Sequence, residues 1–237
     1  MNRTRRLLAA IAGVLGVALT LSLGHWQSRR AEYKLELQRQ WDNAQQTEPV
    51  AATASTLHDI AARVPVRVRL TGRFRHGRSV WLDNRQDRGR PGFFVVTPFE
   101  IDGTIVLVNR GWAARDPQDR LRLPAVGEPP GVLTIEGLAV AELPRLLELG
   151  RAEESASWPR VWQNLDRFAY ERASGLRVAP FVVQQTSPTD DGLVRDWVAP
   201  DLGVDKHRGY ALQWYSLAAL IAVLTLYFGW RTWRARP

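Results

Sequence analysis

Residues Leu7 to Gly24 read LLAAIAGVLGVALTLSLG, and this stretch decides the architecture. It carries no charge, and Thr20 and Ser22 are its only polar side chains. At a helical rise of 1.5 Å per residue it spans roughly 27 Å, close to the thickness of a bilayer's hydrocarbon core. A second uncharged run, Tyr210 to Trp230, lies near the other end, with Gln213 as its one strongly polar residue. Two such runs are hard to place in a soluble core and are read as membrane-spanning helices. The alternative for the first run is a cleaved signal peptide. Its apolar stretch is longer than a usual signal core, and no clean small-x-small site follows it.

The arginines orient the spans. Arg3, Arg5 and Arg6 precede the first run, and Arg231, Arg234 and Arg236 follow the second. Basic residues are retained on the cytoplasmic side. Both termini are therefore expected in the cytoplasm, with the middle of the chain periplasmic and the whole in the cell inner membrane. Aromatics fall where the interfaces should be: Trp26, Tyr210, Trp214 and Tyr215 at the outer end, and Tyr227, Trp230 and Trp233 at the inner end. The expected layout is a tail over 1–6, a first span over 7–26 and an extracytoplasmic domain over 27–206. A second span over 207–230 and a tail over 231–237 complete it.

Charge excludes one class of partner. The net charge is +8, but the two tails hold six of the 32 Lys+Arg and none of the 24 Asp+Glu. The rest of the chain, 26 basic residues against 24 acidic, has no concentrated footprint for a phosphate backbone, so no nucleic-acid partner is expected. With no cysteine, disulfides and thiolate metal sites are excluded. The single methionine is Met1, which excludes a Met-rich copper site.

The middle of the chain changes period. Ser28 to Gln46 is polar and free of Gly and Pro, and reads as a helix continuing out of the first span until Pro49. Thr56 to Arg63 forms a short second helix. Val64, Val66, Val68 and Leu70 then alternate with polar residues or proline, the pattern of a half-buried strand. Ser79 to Asn84, Phe93 to Ile101, Thr104 to Asn109, Leu133 to Val140 and Val178 to Gln185 are further strands. Asp102-Gly103 marks a hairpin, because both central positions of the favoured turn need φ > 0. Asn164 to Ser174 reads as a helix with Asn164 as its N-cap and Gly175 as its stop. The fold expected is an α+β domain, mainly antiparallel β and barrel-like, flanked by two transmembrane α-helices.

Catalytic chemistry has little to work with. His58 and His76 are the only histidines inside the domain, both expected at the surface, and no serine lies in a nucleophile-elbow context. Asp87 to Gly92 has no GxxxxGK pattern. With no nucleophile, base and orienting group in view, the chain is read as a non-enzyme, and a membrane-anchored envelope enzyme is the disfavoured class.

His25 and His207 are better placed, at the outer ends of the two spans. On a helix starting near His207, residues His207, Tyr210, Trp214 and Leu217 share one face. The first span carries a stripe of small residues, Ala9, Gly13, Gly16, Thr20 and Gly24. Such a stripe either lets two helices pack closely or leaves room for a flat ligand. In the second case imidazole from His207, with or without His25, would ligate a haem iron, for which histidine is a standard axial ligand.

Leu23-Gly24-His25-Trp26-Gln27-Ser28-Arg29-Arg30 resembles the L-G-x-W-Q-x-x-R element of the surfeit locus protein 1 family. Pro91-Gly92-Phe93, Thr97-Pro98 and Val106-Leu107-Val108-Asn109-Arg110-Gly111-Trp112 resemble its P-G-[YF], T-P and L-V-N-R-G-W elements. His207-Arg208-Gly209-Tyr210-Ala211-Leu212-Gln213-Trp214-Tyr215 resembles its H-x-x-Y-A-x-Q-W-[YF] signature. The resemblance is to a bacterial member, and implies an assembly factor for haem-copper terminal oxidases of the cytochrome c oxidase type. It implies as partners the oxidase catalytic subunit, other oxidase assembly factors and the lipid bilayer. Some bacterial relatives are understood to bind haem a through the histidine matching His207. The haem-contacting residues expected are His207 as the metal ligand with Tyr210, Gln213, Trp214, Trp26 and Arg110. His25 falls at the variable position of the pattern and gains nothing from it. For Arg110, pairing with a haem propionate or a partner carboxylate stands against a structural role. For Gly111 and Trp112 the structural reading is a turn after the strand and a cap on the core. A cofactor-free scaffold that stabilises an oxidase intermediate is the other function open at this point.

Overall fold

The computed structural model describes residues 3–119, 122–147, 158, 160–197 and 203–234. In chain order the elements are α1 (Arg3–Gln46), β1 (Val50–Ala52), α2 (Leu57–Arg63), β2 (Val66–Phe74), β3 (Val80–Asp87), β4 (Arg90–Ile101), β5 (Thr104–Ala114), β6 (Leu133–Val140), β7 (Val161–Trp162), α3 (Arg167–Ser174), β8 (Val178–Gln185) and α4 (Val204–Arg234). Two units divide the chain: Met1–Gln40 with Ala199–Pro237, and Trp41–Val198. Two apolar helices thus flank a β-rich domain.

In the first unit α1 and α4 run antiparallel. Both are long and apolar enough to cross a membrane, over Leu7–Gln46 and Val204–Arg231. Only 11% of the apolar window of each is buried, unlike the core helix of a water-soluble domain. Leu8, Val14, Leu19, Leu220, Val223 and Leu226 all point outward. The small-residue stripe of α1 is where α4 packs. A Cβ on Gly13 would strike Thr225, and one on Gly24 would lie 2.7 Å from the Tyr215 ring; Gly16 faces Ile221 at an ordinary 3.6 Å. Thr20 is buried in the same row, its hydroxyl returned to the Gly16 carbonyl at 2.8 Å. Ala211 and Ala218 are the buried small residues on α4. Small side chains on both helices let the backbones approach, and dispersion contacts then hold them. Of the two roles open for this stripe, close helix packing is the one observed.

In the second unit eight strands form one mixed sheet in the order β1-β2-β6-β8-β5-β4-β3-β7. The pairs β1–β2, β5–β8 and β3–β7 are parallel, whereas β2–β6, β6–β8, β4–β5 and β3–β4 are antiparallel. The end of β2 also pairs antiparallel with β4 through Arg73↔Glu100 and Phe74↔Phe99, so β2, β6, β8, β5 and β4 are hydrogen-bonded in a ring. The Asp102-Gly103 turn joins β4 to β5, with φ of 46° and 78°.

Alternation explains the continuous apolar run of β5. Val106 and Val108 face a core with Leu70, Phe99, Ile135, Phe181 and Val183. Ile105 and Leu107 face a second core with Leu82, Val96, Leu138, Tyr170 and Val182. A strand buried on both faces needs apolar residues at every position. β2 shows the half-buried case: Val68 and Leu70 are buried, and outward-facing Arg67 and Arg69 both donate to Glu136 on β6 at 2.9 Å.

Four local expectations are corrected. The helix expected over Asn164 to Ser174 begins at Arg167, and its N-cap is Asp166, whose carboxylate accepts from the Ala169 N–H at 2.7 Å. Asn164 instead pins the chain at Leu146, accepting from its N–H and donating to its carbonyl, both at 2.8 Å. β5 does not turn at Gly111. It runs on to Ala114, and Gly111 sits at a register shift in the β4–β5 pair with φ 151°. A side chain there would collide with Leu193 and Val194. His76 is half-buried in a single 3-10 turn, its Nε2 3.3 Å from the Pro129 carbonyl, rather than fully exposed; His58 is exposed as expected.

The N-R-G-W element is interior. Trp112 is buried, and its indole N–H donates to the Arg85 carbonyl at 2.9 Å. Arg110 is 1% exposed; its guanidinium donates to Asp191 at 2.9 Å and to the Gly127 carbonyl at 2.6 Å, and it lies over the Phe74 ring at 4.9 Å. Arg195 joins the same Asp191 oxygen at 2.5 Å. Burial pushes the Arg110 guanidinium below its ordinary value and the Asp191 charge pulls it back. An arginine so paired stays charged.

Three outcomes test this account. Gly24→Ala should destabilise the helix pair by about 1–3 kcal/mol in detergent unfolding, whereas Gly16→Ala, the same change where space exists, should be near neutral. Asp191→Asn keeps the shape but leaves two guanidinium groups uncompensated, and should lower folding stability by about 3 kcal/mol in chemical denaturation. The Arg69 and Arg67 hydrogen bonds hold the Glu136 carboxyl below its usual range. Glu136 therefore stabilises the fold above its unfolded value of about 4.3, and this is lost as pH falls through the lower folded value. Melting curves should show Glu136→Gln destabilised at neutral pH, with the gap to the parent closing below about pH 4.

Candidate functional site

The histidine that the sequence singles out lies in the first turn of α4. One wall is α1, where Gln27 and Ala31 follow the packed Gly24 by about one and two helical turns. Ala31 is 4% exposed, which holds the two helices close at this level. Gln27 and His207 are each half-buried, and Gln27 Oε1 lies 2.6 Å from His207 Nδ1. Residues 180 apart in sequence thus meet through side chains. Tyr215 lies against Gly24, and its hydroxyl is 3.3 Å from Ser28. Lys34 and Arg30 are the charged groups of α1 near enough to act on His207.

Beside this cluster the two helices leave an open groove of about 350 Å³. Ala31, Leu35, Ala211 and Leu212 form its apolar part, with Ser28, Glu32, Arg208 and Tyr215 around them. Its lining mixes apolar side chains with hydroxyl and charged groups.

The expected face of α4 divides in two. His207 and Trp214 are half-buried and fall in the row with buried Ala211 and Ala218. Tyr210 is 53% exposed, and Gln213 and Leu217 are also exposed. Positions 207, 211, 214 and 218 lie on the side of α4 that carries its buried residues, while 210, 213 and 217 lie on its flank. Trp26 is 58% exposed on α1. Five of the six expected contact residues, His207, Tyr210, Gln213, Trp214 and Trp26, therefore belong to the end of the helix pair. Arg110 belongs to the other unit, and the carboxylate it finds is its own chain's Asp191.

His25 is exposed. Two residues before Gln27, it lies about 200° round the helix from the residue that touches His207, so it points away from that imidazole. Gln27 is the residue sequence reasoning passed over. It was in view as part of the L-G-x-W-Q element, and the signal for it was the antiparallel topology, which brings the end of α1 level with the start of α4. Among the described residues no group of three or more His, Cys, Asp and Glu converges to hold a metal ion.

Comparison with known proteins agrees with the motifs. Residues 14–219 match the sequence model of the SURF1 family. The chain is 33% identical over 101 residues to the cytochrome oxidase assembly protein SHY1 of Saccharomyces cerevisiae, covering 41% of this chain and 26% of that protein. It is 28% identical over 115 residues to a SURF1-like protein of Dictyostelium discoideum, covering 45% of this chain and 43% of the relative. A SURF1-like protein of Drosophila melanogaster is 33% identical over 117 residues, 41% of this chain and 38% of the relative. The chain therefore spans less than half the length of each of these relatives. The family match, by contrast, runs from within the first helix to within the last, across the whole β-rich domain, and on that ground the chain belongs to the SURF1 family.

Proposed function

We propose that this protein is a membrane-held, non-enzymatic factor in cytochrome oxidase assembly, and that it holds haem a at His207 while the oxidase catalytic subunit is put together. Family membership and the name of the yeast relative support the assembly role. In this reading α1 and α4 span the cell inner membrane with both termini cytoplasmic, and the β-rich domain is periplasmic. The arginines at the two tails support that sidedness.

The observation that carries the haem reading is the state of His207. Its Nδ1 faces an acceptor on α1, and its Nε2 has no hydrogen bond among the described residues. That is the donor set of a single axial imidazole. Haem a is cargo here, and brings an iron that accepts the imidazole lone pair. Tyr210 and Trp26 are exposed aromatics that give a greasy macrocycle apolar contact. Trp214 and Gln213 sit one to two turns along α4 from the imidazole. Lys34 and Arg30, rather than buried Arg110, are the cations near His207 suited to propionates. The oxidase catalytic subunit, other oxidase assembly factors and the surrounding lipid are the partners of this reading.

A cofactor-free scaffold is the second reading. It is favoured by the tight packing along Gly13, Thr20 and Gly24, which closes the slot between the helices that a flat ligand would need. Any haem must then lie at the end and flank of the pair. The two readings part in cells that make haem a. The purified parent protein should carry a Soret band, and His207→Ala should lose most of it. An unchanged Soret absorbance per protein in His207→Ala would overturn the ligand assignment. Colourless parent protein that co-purifies with an oxidase subunit would favour the scaffold.

A further inference from the structure

We propose that Gln27 is a positioning residue that fixes His207 in its Nδ1–H tautomer and so reserves the Nε2 lone pair for iron. The use of that lone pair rests on the haem reading above; the tautomer itself does not.

A neutral imidazole carries one proton and can place it on either nitrogen. In water the Nε2–H form of histidine is the favoured one, which would leave the wrong nitrogen free for a ligand reached by the outer edge of the ring. The contact at His207 reverses that preference. Gln27 Oε1 is an acceptor with no proton to give, and it lies 2.6 Å from Nδ1. Two lone pairs at that distance repel, whereas Nδ1–H donating to the amide oxygen makes a short hydrogen bond. The geometry therefore demands a proton on Nδ1. A bound ring N–H of this kind is how proteins orient histidine ligands and raise their basicity.

Gln27 is held in register by the helix packing. Gly24, one turn earlier, lies against Tyr215, and buried Ala31, one turn later, keeps α1 close to α4. Ser28 reaches the Tyr215 hydroxyl at 3.3 Å. The amide thus approaches the ring from a wall whose position is already set, and it needs only its own torsions to make the bond. An asparagine would be one methylene short. A glutamate keeps the length and the acceptor. A leucine keeps the volume and removes the acceptor.

The experiment reads the tautomer without haem. The full-length protein, labelled with 15N-histidine, is placed in lipid nanodiscs at about pH 8, above the ordinary imidazole range. The His207 signals are identified by their loss in His207→Ala. Nδ1 is expected to be the protonated nitrogen in the parent and in Gln27→Glu, and Nε2 in Gln27→Leu. An Nε2–H parent, or the same tautomer in Gln27→Leu as in the parent, overturns the proposal. A second arm uses protein from cells that make haem a: Gln27→Leu should bind haem about 10–100-fold more weakly, with binding restored in Gln27→Glu. Equal haem occupancy in parent and Gln27→Leu overturns the positioning role. Colourless parent protein that still shows Nδ1–H sinks the haem reading and leaves the tautomer assignment established.

Discussion

The closeness of α1 to α4 is the constraint on which the candidate site depends. Two helices that leave most of their apolar surface exposed are not held by a surrounding core, so their contact must come from packing along one face. The row Gly13, Gly16, Thr20 and Gly24 supplies it by removing side-chain bulk on one face of α1, and Ala211 and Ala218 do the same on α4. Only at that separation can a side chain as short as glutamine reach an imidazole on the other helix. The Gln27–His207 contact is in this sense a product of glycines one to four turns away.

The β-rich domain shows the opposite economy: its most functional-looking residues are spent on folding. Arg110 sits within a motif that invites a ligand, yet its charge is matched by Asp191 and its plane by Phe74. Trp112 closes onto the Arg85 carbonyl. Gly111 is needed because Leu193 and Val194 cross the strand too closely for a Cβ. In this chain Arg110, Gly111 and Trp112 of the N-R-G-W element are committed to packing. A buried guanidinium left without its carboxylate would be among the costliest defects the domain could carry.

Much of the secondary structure was legible because the local signals were strong. The spans of β6 and β8 follow their apolar runs from end to end, and Asp102-Gly103 marks its hairpin, since short-range geometry alone demands positive φ there. The continuation of α1 to Gln46 follows from a polar stretch with no Gly or Pro to stop it. What escaped was decided at longer range. β1 and β7 are three and two residues long and exist only because β2 and β3 offer edges to pair with. The cap of α3 passed from Asn164 to Asp166 because Asn164 was already committed to Leu146. The shared face expected for His207 and Tyr210 split because α1 meets the side of α4 that carries His207, Ala211 and Ala218, which leaves Tyr210 on the flank.

The sequence by itself determined that two helices with long uncharged runs flank a β-rich domain, that the small-residue stripe and His207 belong to those helices, and that the family motifs stand in order. Charge, length and periodicity are properties of neighbouring residues, and they need no fold to be read. The tertiary structure decided which reading each motif takes. It filled the stripe with α4 instead of a ligand, turned His25 away, assigned Arg110 to Asp191, and brought Gln27 to His207. Those outcomes depend on distances between residues 81 to 212 positions apart, and such distances are set only when the elements pack.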